Sequence, residues 1–260
     1  MADLIYEAGN GIAHITINRP AKLNAMTGAM WAALPELVTQ AQSDETVRAI
    51  VVTGAGDSAF CAGADILQFG EQRGGEAEAG RYDGAYLAAC ASLAHADKPT
   101  VAVIRGICFG GGFGLAMSCD IRLAREDARF RVPAARLGLG YAYDGIAMLV
   151  AKLGHSAVAD LMLSARILDS EEALRTGVIS ARWSEAAFEA GVEDYLANLA
   201  ANAPLTMRAV KLALGELLKP DAARDIAVAN AAVTDCQVSA DYREGQAAFR
   251  EKRLPVFTGR

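Results

Sequence analysis

The sequence lacks the patterns that mark several common classes of protein. It contains only three histidines, His14, His95 and His155, and none has the H-E-x-x-H or a similar spacing of a metal site. We therefore interpret the histidines as structural or surface residues, and we expect no metal. No G-x-S-x-G sequence is present, so the sequence offers no nucleophilic serine of the kind that α/β-hydrolases use in a serine triad. No apolar run approaches the ~18 residues of a membrane-spanning helix.

Charge and cysteine content exclude further classes. The formal net charge is −6, and the basic residues are scattered, which argues against a nucleic-acid partner. The chain start shows no cationic region followed by an apolar stretch, so no signal peptide is expected. Five cysteines, an odd number without metal-ligand spacing, are typical of reduced thiols. These features predict a cytoplasmic protein, and a hydrophobic content of 53% provides ample material for a core.

Two glycine-rich segments are the most informative feature that is present. Residues 60–65 read FCAGAD and residues 110–114 read GGGFG, and each segment follows a short β-branched run. Turns at the ends of two buried strands could direct two backbone N–H groups at one developing oxyanion. A helix that begins in the second segment would add the positive end of its dipole. Close packing of a helix on a strand is the alternative explanation. Neither segment fits G-x-G-x-x-G or a P-loop.

The chain divides into an alternating part and a helical part. Strand-like and helix-like patterns alternate through the first two-thirds, whereas the last third is almost wholly helical. We therefore predict an α/β fold with a core over residues 1–195 and a helical region over 196–260. Within a helix predicted over residues 27–41, Pro35 should produce a kink or a restart. Residues 66–85 contain several glycines and predict a mobile segment, either a lid or a surface loop without a role.

Helices of the last third are predicted near residues 185–202, 206–218 and 221–240. Asp169 and Glu172 have the spacing of a capping box at the start of an earlier helix.

Taken together, these motifs resemble the enoyl-CoA hydratase/isomerase (crotonase) superfamily. The sequence NRPAKLNA at residues 18–25 is similar to an early signature of that family, and residues 60–65 and 98–114 resemble its two oxyanion-hole segments. Residues 119–122 and 173–179 continue the resemblance, and residues 244–253 are similar to the C-terminal helix of the family. The resemblance covers essentially the whole chain.

The resemblance implies a fold, a ligand and an assembly. The expected fold is a crotonase-like ββα spiral with a C-terminal helical region that forms a homotrimer or a dimer of trimers. The expected ligand is an acyl-CoA thioester, with coenzyme A as part of the substrate and no metal or redox cofactor.

The resemblance also implies roles for particular residues. By position, Ala62 and Gly111 would donate their N–H groups to the thioester oxygen. Lys22 and Leu23 would lie near the CoA nucleotide, and Lys252 could reach the CoA phosphates or be an ordinary solvated lysine. The first oxyanion segment would contribute the remaining CoA contacts, from Gly63, Ala64 and Asp65.

The chain departs from the family at the two positions where hydratases carry glutamate. Gly114 and Ala134 stand there instead. Hydration of an enoyl thioester requires a group that deprotonates water and a group that protonates the α-carbon, and neither glycine nor alanine can act so. Ordinary two-glutamate chemistry is therefore not expected, and a replacement acid or base must come from elsewhere.

Residues 137–145 are the first place to look for that replacement. Asp144 is a candidate proton shuttle, or else an acidic residue that complements a helix dipole. Tyr141 and Tyr143 could donate hydrogen bonds to a substrate or pack. Glu71 and Glu76, in the predicted mobile segment of residues 66–85, are further candidates for the replacement acid or base.

Three functions remain open from the sequence. The first is an enzyme that stabilises a thioester enolate and isomerises or hydrates an enoyl-CoA, with isomerisation favoured because it needs a single base. The second is a protein that binds acyl-CoA without turnover. The third is a hydrolase of a CoA thioester or of a β-diketone.

Overall fold

The structure is a computed structural model that describes residues 2–65 and 76–260, with the side chains of residues 76–79 outside that description. Short β-branched runs form several of the strands, and two of them, Ala49–Gly54 and Thr100–Ile104, are buried along almost their whole length. Within the described residues the strands are β1 (Leu4–Gly9), β2 (Ile12–Ile17), β3 (Ala49–Gly54), β4 (Ala59–Cys61), β5 (Thr100–Ile104), β6 (Ile107–Phe109), β7 (Ile121–Arg125), β8 (Arg129–Arg131), β9 (Leu168–Asp169) and β10 (Ala181–Trp183).

The strands form two sheets. The six-stranded sheet has the order β1-β2-β3-β5-β7-β10, and the four-stranded sheet has the order β4-β6-β8-β9. Pairing is parallel except for β1 with β2 and β8 with β9. Each successive pair, β3 and β4, then β5 and β6, then β7 and β8, places one strand in each sheet. The chain therefore winds as a spiral, which confirms the predicted fold class.

Helices cover the spiral and form the C-terminal third. Among the described residues they are α1 (Gly28–Ser43), α2 (Glu76–Ala94), α3 (Gly111–Ser118), α4 (Ala134–Leu137), α5 (Tyr143–Leu153), α6 (His155–Ser164), α7 (Ser170–Arg175), α8 (Glu185–Ala200), α9 (Pro204–Leu217), α10 (Ile226–Val238) and α11 (Ala240–Glu251). In the part of the chain that the structure describes, no helix is both long enough and apolar enough to cross a membrane.

The core lies on both faces of the larger sheet. The main cluster fills the space between the two sheets and helices α1 to α3, where Trp31, Phe60 and Phe113 are almost fully buried. The smaller cluster packs Phe188 and Leu196 of α8 against the other face of β3, β5 and β7. Because α8 runs through residue 195, the proposed division at 195/196 falls inside a helix that covers the sheet.

Helix α1 does not restart at Pro35, although a restart is one of the two outcomes predicted for this proline. The helix is continuous from Gly28 to Ser43 with Pro35 inside it, and Thr27 caps its start by accepting a hydrogen bond from Met30 N at 3.2 Å. The buried face formed by Trp31, Leu34 and Val38 packs on the core along both sides of the proline. Burial of this face therefore outweighs the backbone hydrogen bond that proline cannot donate.

Helix α2 corrects the prediction for the second half of the glycine-rich segment. Residues 76–85, predicted to be part of a mobile segment, are helical, and the helix begins at Glu76. Its inner face, with Tyr82, Tyr86, Ala89 and Leu93 at helical spacing, packs against the core beside α1. This burial compensates for two interior glycines of low helix propensity. Residues 66–75 of the predicted mobile segment lie outside the described residues.

The helix starts follow their caps. Asp169 accepts a hydrogen bond from Glu172 N at 2.9 Å and caps α7, as predicted, while the Glu172 carboxylate binds Arg166 and does not reach back to the cap. Asp225 caps α10, so that helix begins at Ile226 and not at residue 221. A separate final helix, α11, begins after the Ser239 cap.

Candidate active site

The first glycine-rich segment leaves a different amide free from the one that the resemblance implied. Ala62, directly after β4, donates its N–H to the carbonyl oxygen of Leu23 at 3.0 Å. This amide is therefore already bound to the 23–26 segment, and the assignment of Ala62 as an oxyanion donor is wrong.

The free amide belongs to Ala64. Met26 N donates to Gly63 O at 2.8 Å, and Asp65 N donates to Met26 O at 3.0 Å. This ladder with Met26 involves the carbonyl before Ala64 and the amide after it, so the N–H of Ala64 faces the opposite side. Among the described residues, that N–H donates no hydrogen bond.

The second free amide belongs to Gly111, the first residue of α3. Gly110 N donates to Arg131 O, and Gly114 N closes the first helical turn onto Gly110 O at 3.1 Å. The N–H of Gly111 has no acceptor in the described part of the chain, as is usual in a first helical turn. A Cβ placed on Gly111 would lie 3.7 Å from Ala64 N, so the two free amides lie side by side.

Two glycines permit this approach. Gly63 has a φ of +104°, and a Cβ on it would lie 3.0 Å from Phe109 O and 3.2 Å from Gly111 N. A Cβ on Gly112 would lie 2.4 Å from Cys61 O. The start of α3 therefore packs directly on the first segment, which brings both amides to one place. Helix–strand packing and presentation of two donors are achieved by the same glycines.

The NRPAKLNA sequence holds the first segment in position. The Arg19 guanidinium donates to Ala25 O at 2.6 Å and to Asp65 Oδ2 at 3.0 Å, in a largely buried ion pair. Asn24, buried and with a φ of 56°, donates from its side chain to Ala55 O and Ala59 O. These contacts clamp the segment on both sides of β4.

Cationic side chains occupy the opposite end of α3. Lys152 Nζ donates to the carbonyl oxygens of Met117 and Cys119, and Arg122 Nη1 donates to Cys119 O at 2.9 Å. Burial, assisted by the positive charge of Arg122, lowers the pKa of Lys152 to about 8. Positive charge here complements the negative end of the helix dipole, while the positive end faces the two amides.

A residue that sequence reasoning missed, Tyr86, occupies the place beside Gly114. A Cβ on Gly114 would lie only 1.9 Å from the Tyr86 hydroxyl oxygen, so glycine there makes room for the phenol. The Tyr86 ring meets the Trp31 ring edge-on, with the centroids 5.1 Å apart. Tyr86 Cε2 is 3.7 Å from a Cβ placed on Gly111, so the ring extends along α3 from Gly111 to Gly114.

The Tyr86 hydroxyl lies in a group of polar side chains. Its neighbours are the Tyr141 hydroxyl and the Cys90 thiol, and Cys90 in turn neighbours Ser118. Ser118 in turn donates to Gly114 O at 2.9 Å. Burial raises the pKa of Tyr86 well above its ordinary value, with Cys90 and Tyr141 adding to the effect. The phenol is therefore neutral near pH 7.

The remaining candidates of residues 134–145 separate into two groups. Tyr141 reaches the site, where its hydroxyl lies 3.8 Å from a Cβ placed on Gly114 and its ring packs over Gly145. Tyr143, 84% exposed, and Asp144, also exposed, lie at the start of α5. The structure shows no contact that brings either of them to the two amides. Ala134 is buried as the first residue of α4.

Three of the residues assigned to coenzyme A, Lys22, Leu23 and Lys252, lie at the surface, on two different elements. Lys22 ends a short turn, and Leu23 follows it with a φ of 49° and an exposed side chain. Lys252 is exposed directly after α11. Glu71 and the Glu76 side chain lie outside the described residues.

Thiol nucleophiles are not available at the site. Burial raises the pKa of Cys61 to about 12, and burial likewise raises the pKa of Cys108. Both thiols are fully buried and therefore protonated and inert. In the part of the chain that the structure describes, no three His, Cys, Asp or Glu side chains are grouped as metal ligands.

Comparison with known proteins points to one family. The family model described as "Enoyl-CoA hydratase/isomerase" matches residues 7–260. The chain is 29% identical to a short-chain-enoyl-CoA hydratase of Clostridium acetobutylicum over 96% of this chain and 95% of that protein. It is 30% identical to a crotonyl-CoA hydratase of Syntrophomonas wolfei over 98% and 97% of the two chains.

Solved structures show the same relation. A crystal structure of an enoyl-CoA hydratase/carnithine racemase from Magnetospirillum magneticum superposes with a TM-score of 0.93 at 33% identity, covering 100% of this chain and 97% of that one. The match spans every element of the spiral and the C-terminal helices. The chain therefore belongs to the enoyl-CoA hydratase/isomerase family, an acyl-CoA-processing family.

Proposed function

We propose that this protein binds an acyl-CoA thioester and stabilises its enolate with the N–H groups of Ala64 and Gly111. The observation that carries the proposal is the pair of free amides brought together by Gly63 and Gly112. An enoyl-CoA is the substrate class, and hydration or isomerisation is the reaction, with a proton-handling group other than the usual glutamate pair.

The energetics favour a transition-state role for these amides. Each amide donor of an oxyanion hole is typically worth about 2.7–4 kcal/mol of transition-state stabilisation. The Gly111 amide also lies at the positive end of α3, whose negative end is compensated by Lys152 and Arg122. Both donors are fixed by backbone contacts, so little reorganisation accompanies the development of charge.

The binding of the CoA part of the substrate and the oligomeric assembly are further parts of the proposal. Lys22 and Leu23 adjoin Asn24, which clamps the first segment, so a CoA nucleotide bound there would extend toward Ala64. Lys252 is proposed to contact the CoA phosphates. The C-terminal helices and the segment after them expose many apolar side chains, which supports a homotrimer or a dimer of trimers: Val210, Leu214, Leu217, Ile226, Val233, Val238, Phe249, Leu254 and Val256.

The test uses acetoacetyl-CoA, a thioester whose acidic α-carbon forms an enolate with a distinct ultraviolet absorbance. Wild-type protein should increase the enolate fraction at fixed pH, because two N–H donors stabilise the charged oxygen. Ethyl acetoacetate, which has the same dicarbonyl group without the CoA handle, should show no comparable change. Absence of any effect on acetoacetyl-CoA would refute the proposal.

Turnover then distinguishes the candidate reactions. Short-, medium- and long-chain enoyl-CoA substrates are incubated with the protein, and products are identified by mass spectrometry. A mass gain of one water indicates hydration, and a shifted double bond at constant mass indicates isomerisation. Tight binding without turnover would favour the binding protein, a candidate supported by Gly114 and Ala134 at the glutamate positions. Release of free CoA thiol would favour hydrolysis.

A further inference from the structure

We propose that Tyr86 is the proton donor of this active site and that Tyr141 connects it to solvent. The inference rests on the proposed function and goes further, because it assigns the group that replaces one of the two missing glutamates, the one that would protonate the α-carbon. The observation behind it is the Tyr86 hydroxyl lying against Gly114, in the space that a side chain at residue 114 would otherwise fill.

The position of Tyr86 suits proton transfer to a bound thioester. A thioester oxygen that accepts from Gly111 N lies about 3 Å from that nitrogen, and the α-carbon is two bonds from this oxygen. The Tyr86 ring passes Gly111 and ends at Gly114, on the same stretch of α3. Its edge-on contact with Trp31 fixes the ring, and Trp31 Nε1 in turn donates to the Tyr82 hydroxyl at 2.8 Å.

The protonation state of Tyr86 decides the direction of transfer. Burial keeps the pKa of this phenol high, so near pH 7 the hydroxyl carries its proton. A neutral phenol is an acid and a hydrogen-bond donor, and it is a poor base. The site is therefore suited to protonate an enolate formed by addition of water to an enoyl-CoA. This favours hydration over isomerisation.

Tyr141 provides the route by which Tyr86 recovers its proton. Its hydroxyl lies beside that of Tyr86, at 3.8 Å from the Cβ position of Gly114. At the same time, 36% of the residue is exposed at the surface. Its ring rests on Gly145, where a Cβ would approach the ring to 3.2 Å. The Cys90 thiol also lies beside Tyr86. Burial raises the pKa of this thiol and separates it from solvent, so it is not the proton source.

The proposed hydration proceeds through an enolate that Tyr86 protonates. Water adds to the β-carbon of the enoyl-CoA and loses a proton to solvent, while the C=C electron pair shifts to give the enolate, whose oxygen the two amides hold. The enolate then takes the Tyr86 proton at the α-carbon: the Oη–H bond breaks, the Cα–H bond forms and the thioester C=O is restored. The Tyr86 phenolate takes a proton from Tyr141, and Tyr141 takes one from solvent.

The experiment compares Tyr86→Phe, Tyr141→Phe and Tyr143→Phe on the enoyl-CoA that the wild type hydrates fastest. General acid catalysis contributes typically 10²–10⁴-fold, so Tyr86→Phe should lower kcat about 10²-fold or more with little change in KM. Tyr141→Phe should lower kcat less, because Tyr86 keeps its hydroxyl. Tyr143, 84% exposed, is the matched control and should be neutral.

Structural damage is separated from chemistry by two further measurements. Tyr86→Phe keeps the ring that contacts Trp31, so its thermal unfolding and its enolate formation with acetoacetyl-CoA should match the wild type. Gly114→Ala adds a Cβ at 1.9 Å from the Tyr86 hydroxyl oxygen and should displace it, and this variant should also lose kcat.

Three results would overturn the assignment. The first is full kcat in Tyr86→Phe. The second is a fall in kcat that is matched by an equal loss of enolate binding, which would make the residue structural. The third is a wild type that forms the acetoacetyl-CoA enolate but hydrates no enoyl-CoA. Failure of acetoacetyl-CoA to bind would instead refute the proposed function itself.

Discussion

At the scale of single residues, Gly63 combines two requirements that no other residue type meets. Its φ of +104° lies in a region that L-residues avoid, and its missing Cβ leaves room for Gly111 N. Both properties act on the neighbouring Ala64 amide, because the turn at residue 63 decides where that N–H points. The position therefore matters for stability and for activity.

Gly63→Ala should lower both stability and activity. A non-glycine residue in this backbone region is strained by roughly 1–3 kcal/mol, and displacement of one oxyanion donor costs about 10²–10³ in kcat. Denaturant unfolding and enoyl-CoA turnover provide the two measurements. Gly84→Ala is the matched control, since a Cβ there meets nothing within 4 Å inside α2.

This control should gain about 0.5–1 kcal/mol from helix propensity and retain activity. Equal behaviour of the two variants would contradict the role given to Gly63.

Individual site residues were only partly predictable from the sequence. Gly111 follows from the glycine run, and Tyr141 from its place before α5. The resemblance implies Ala62 as the first amide donor, whereas the free N–H belongs to Ala64. The sequence does not show that Leu23 O accepts the Ala62 N–H. Tyr86 has no linear signal near Gly114; only the packing of α2 on α3 brings the two together. Backbone hydrogen-bond partners and side chains from distant elements decide such assignments.

At the scale of elements, helix α3 is the centre of the site. Its first amide is free beside Ala64, and its last carbonyls bind Lys152 and Arg122. The charge state of Lys152 therefore affects both folding and the field along the helix.

Lys152 should make stability depend on pH above about 8. Its folded-state pKa is lowered to about 8 from 10.5, so between these values the unfolded chain binds a proton that the folded chain does not. The free energy of unfolding therefore rises with pH through this window. Below the window Lys152 is protonated in both states and contributes no pH dependence. Lys152→Met lacks the effect.

The free energy of unfolding of the wild type, minus that of Lys152→Met, should accordingly increase from pH 7 to pH 10 in urea titrations. A difference that stays constant or falls over this range would contradict the assignment.

Helix and strand types were largely predictable, whereas their ends were less so. Hydrophobic spacing predicts α1, and the helix does not restart at Pro35, because Trp31 and Val38 are buried on either side of it. In α2, glycines concealed the helical spacing of Tyr82 and Tyr86. Local propensity fails at these places because tertiary packing contributes more than the propensities do.

At the scale of the whole molecule, the C-terminal helices and the segment after them expose apolar side chains that would remain in contact with water in a monomer. Phe249 is 86% exposed and Leu254 is 87% exposed. Clustered exposed apolar side chains are typical of subunit contacts.

Sedimentation should give a mass three or six times the 27.2 kDa of one chain. Phe249→Asp and Leu254→Asp should each shift the distribution toward smaller species, because a charge would be buried in the contact. Leu163→Asp, at a residue that is 80% exposed on α6, is the control and should leave the mass unchanged. A monomeric wild type at micromolar concentration would refute the proposed assembly.

The architecture could be predicted further than the site. Alternating strand and helix patterns predicted the α/β class, and the resemblance supplied the spiral, which the sheet order confirms. The division at residue 195 stays an interpretation, since α8 covers the sheet on both sides of it. Sheet order and burial follow general rules of packing, whereas the chemistry depends on a few atoms.

The exclusion between the Tyr86 hydroxyl and a side chain at residue 114 also bears on engineering of the site. A glutamate introduced at residue 114 would place its Cβ on the phenol oxygen, so Gly114→Glu alone would displace Tyr86 and would not simply add a second acid. Installing a carboxylate there with the present packing retained would require a smaller residue at position 86 in the same variant.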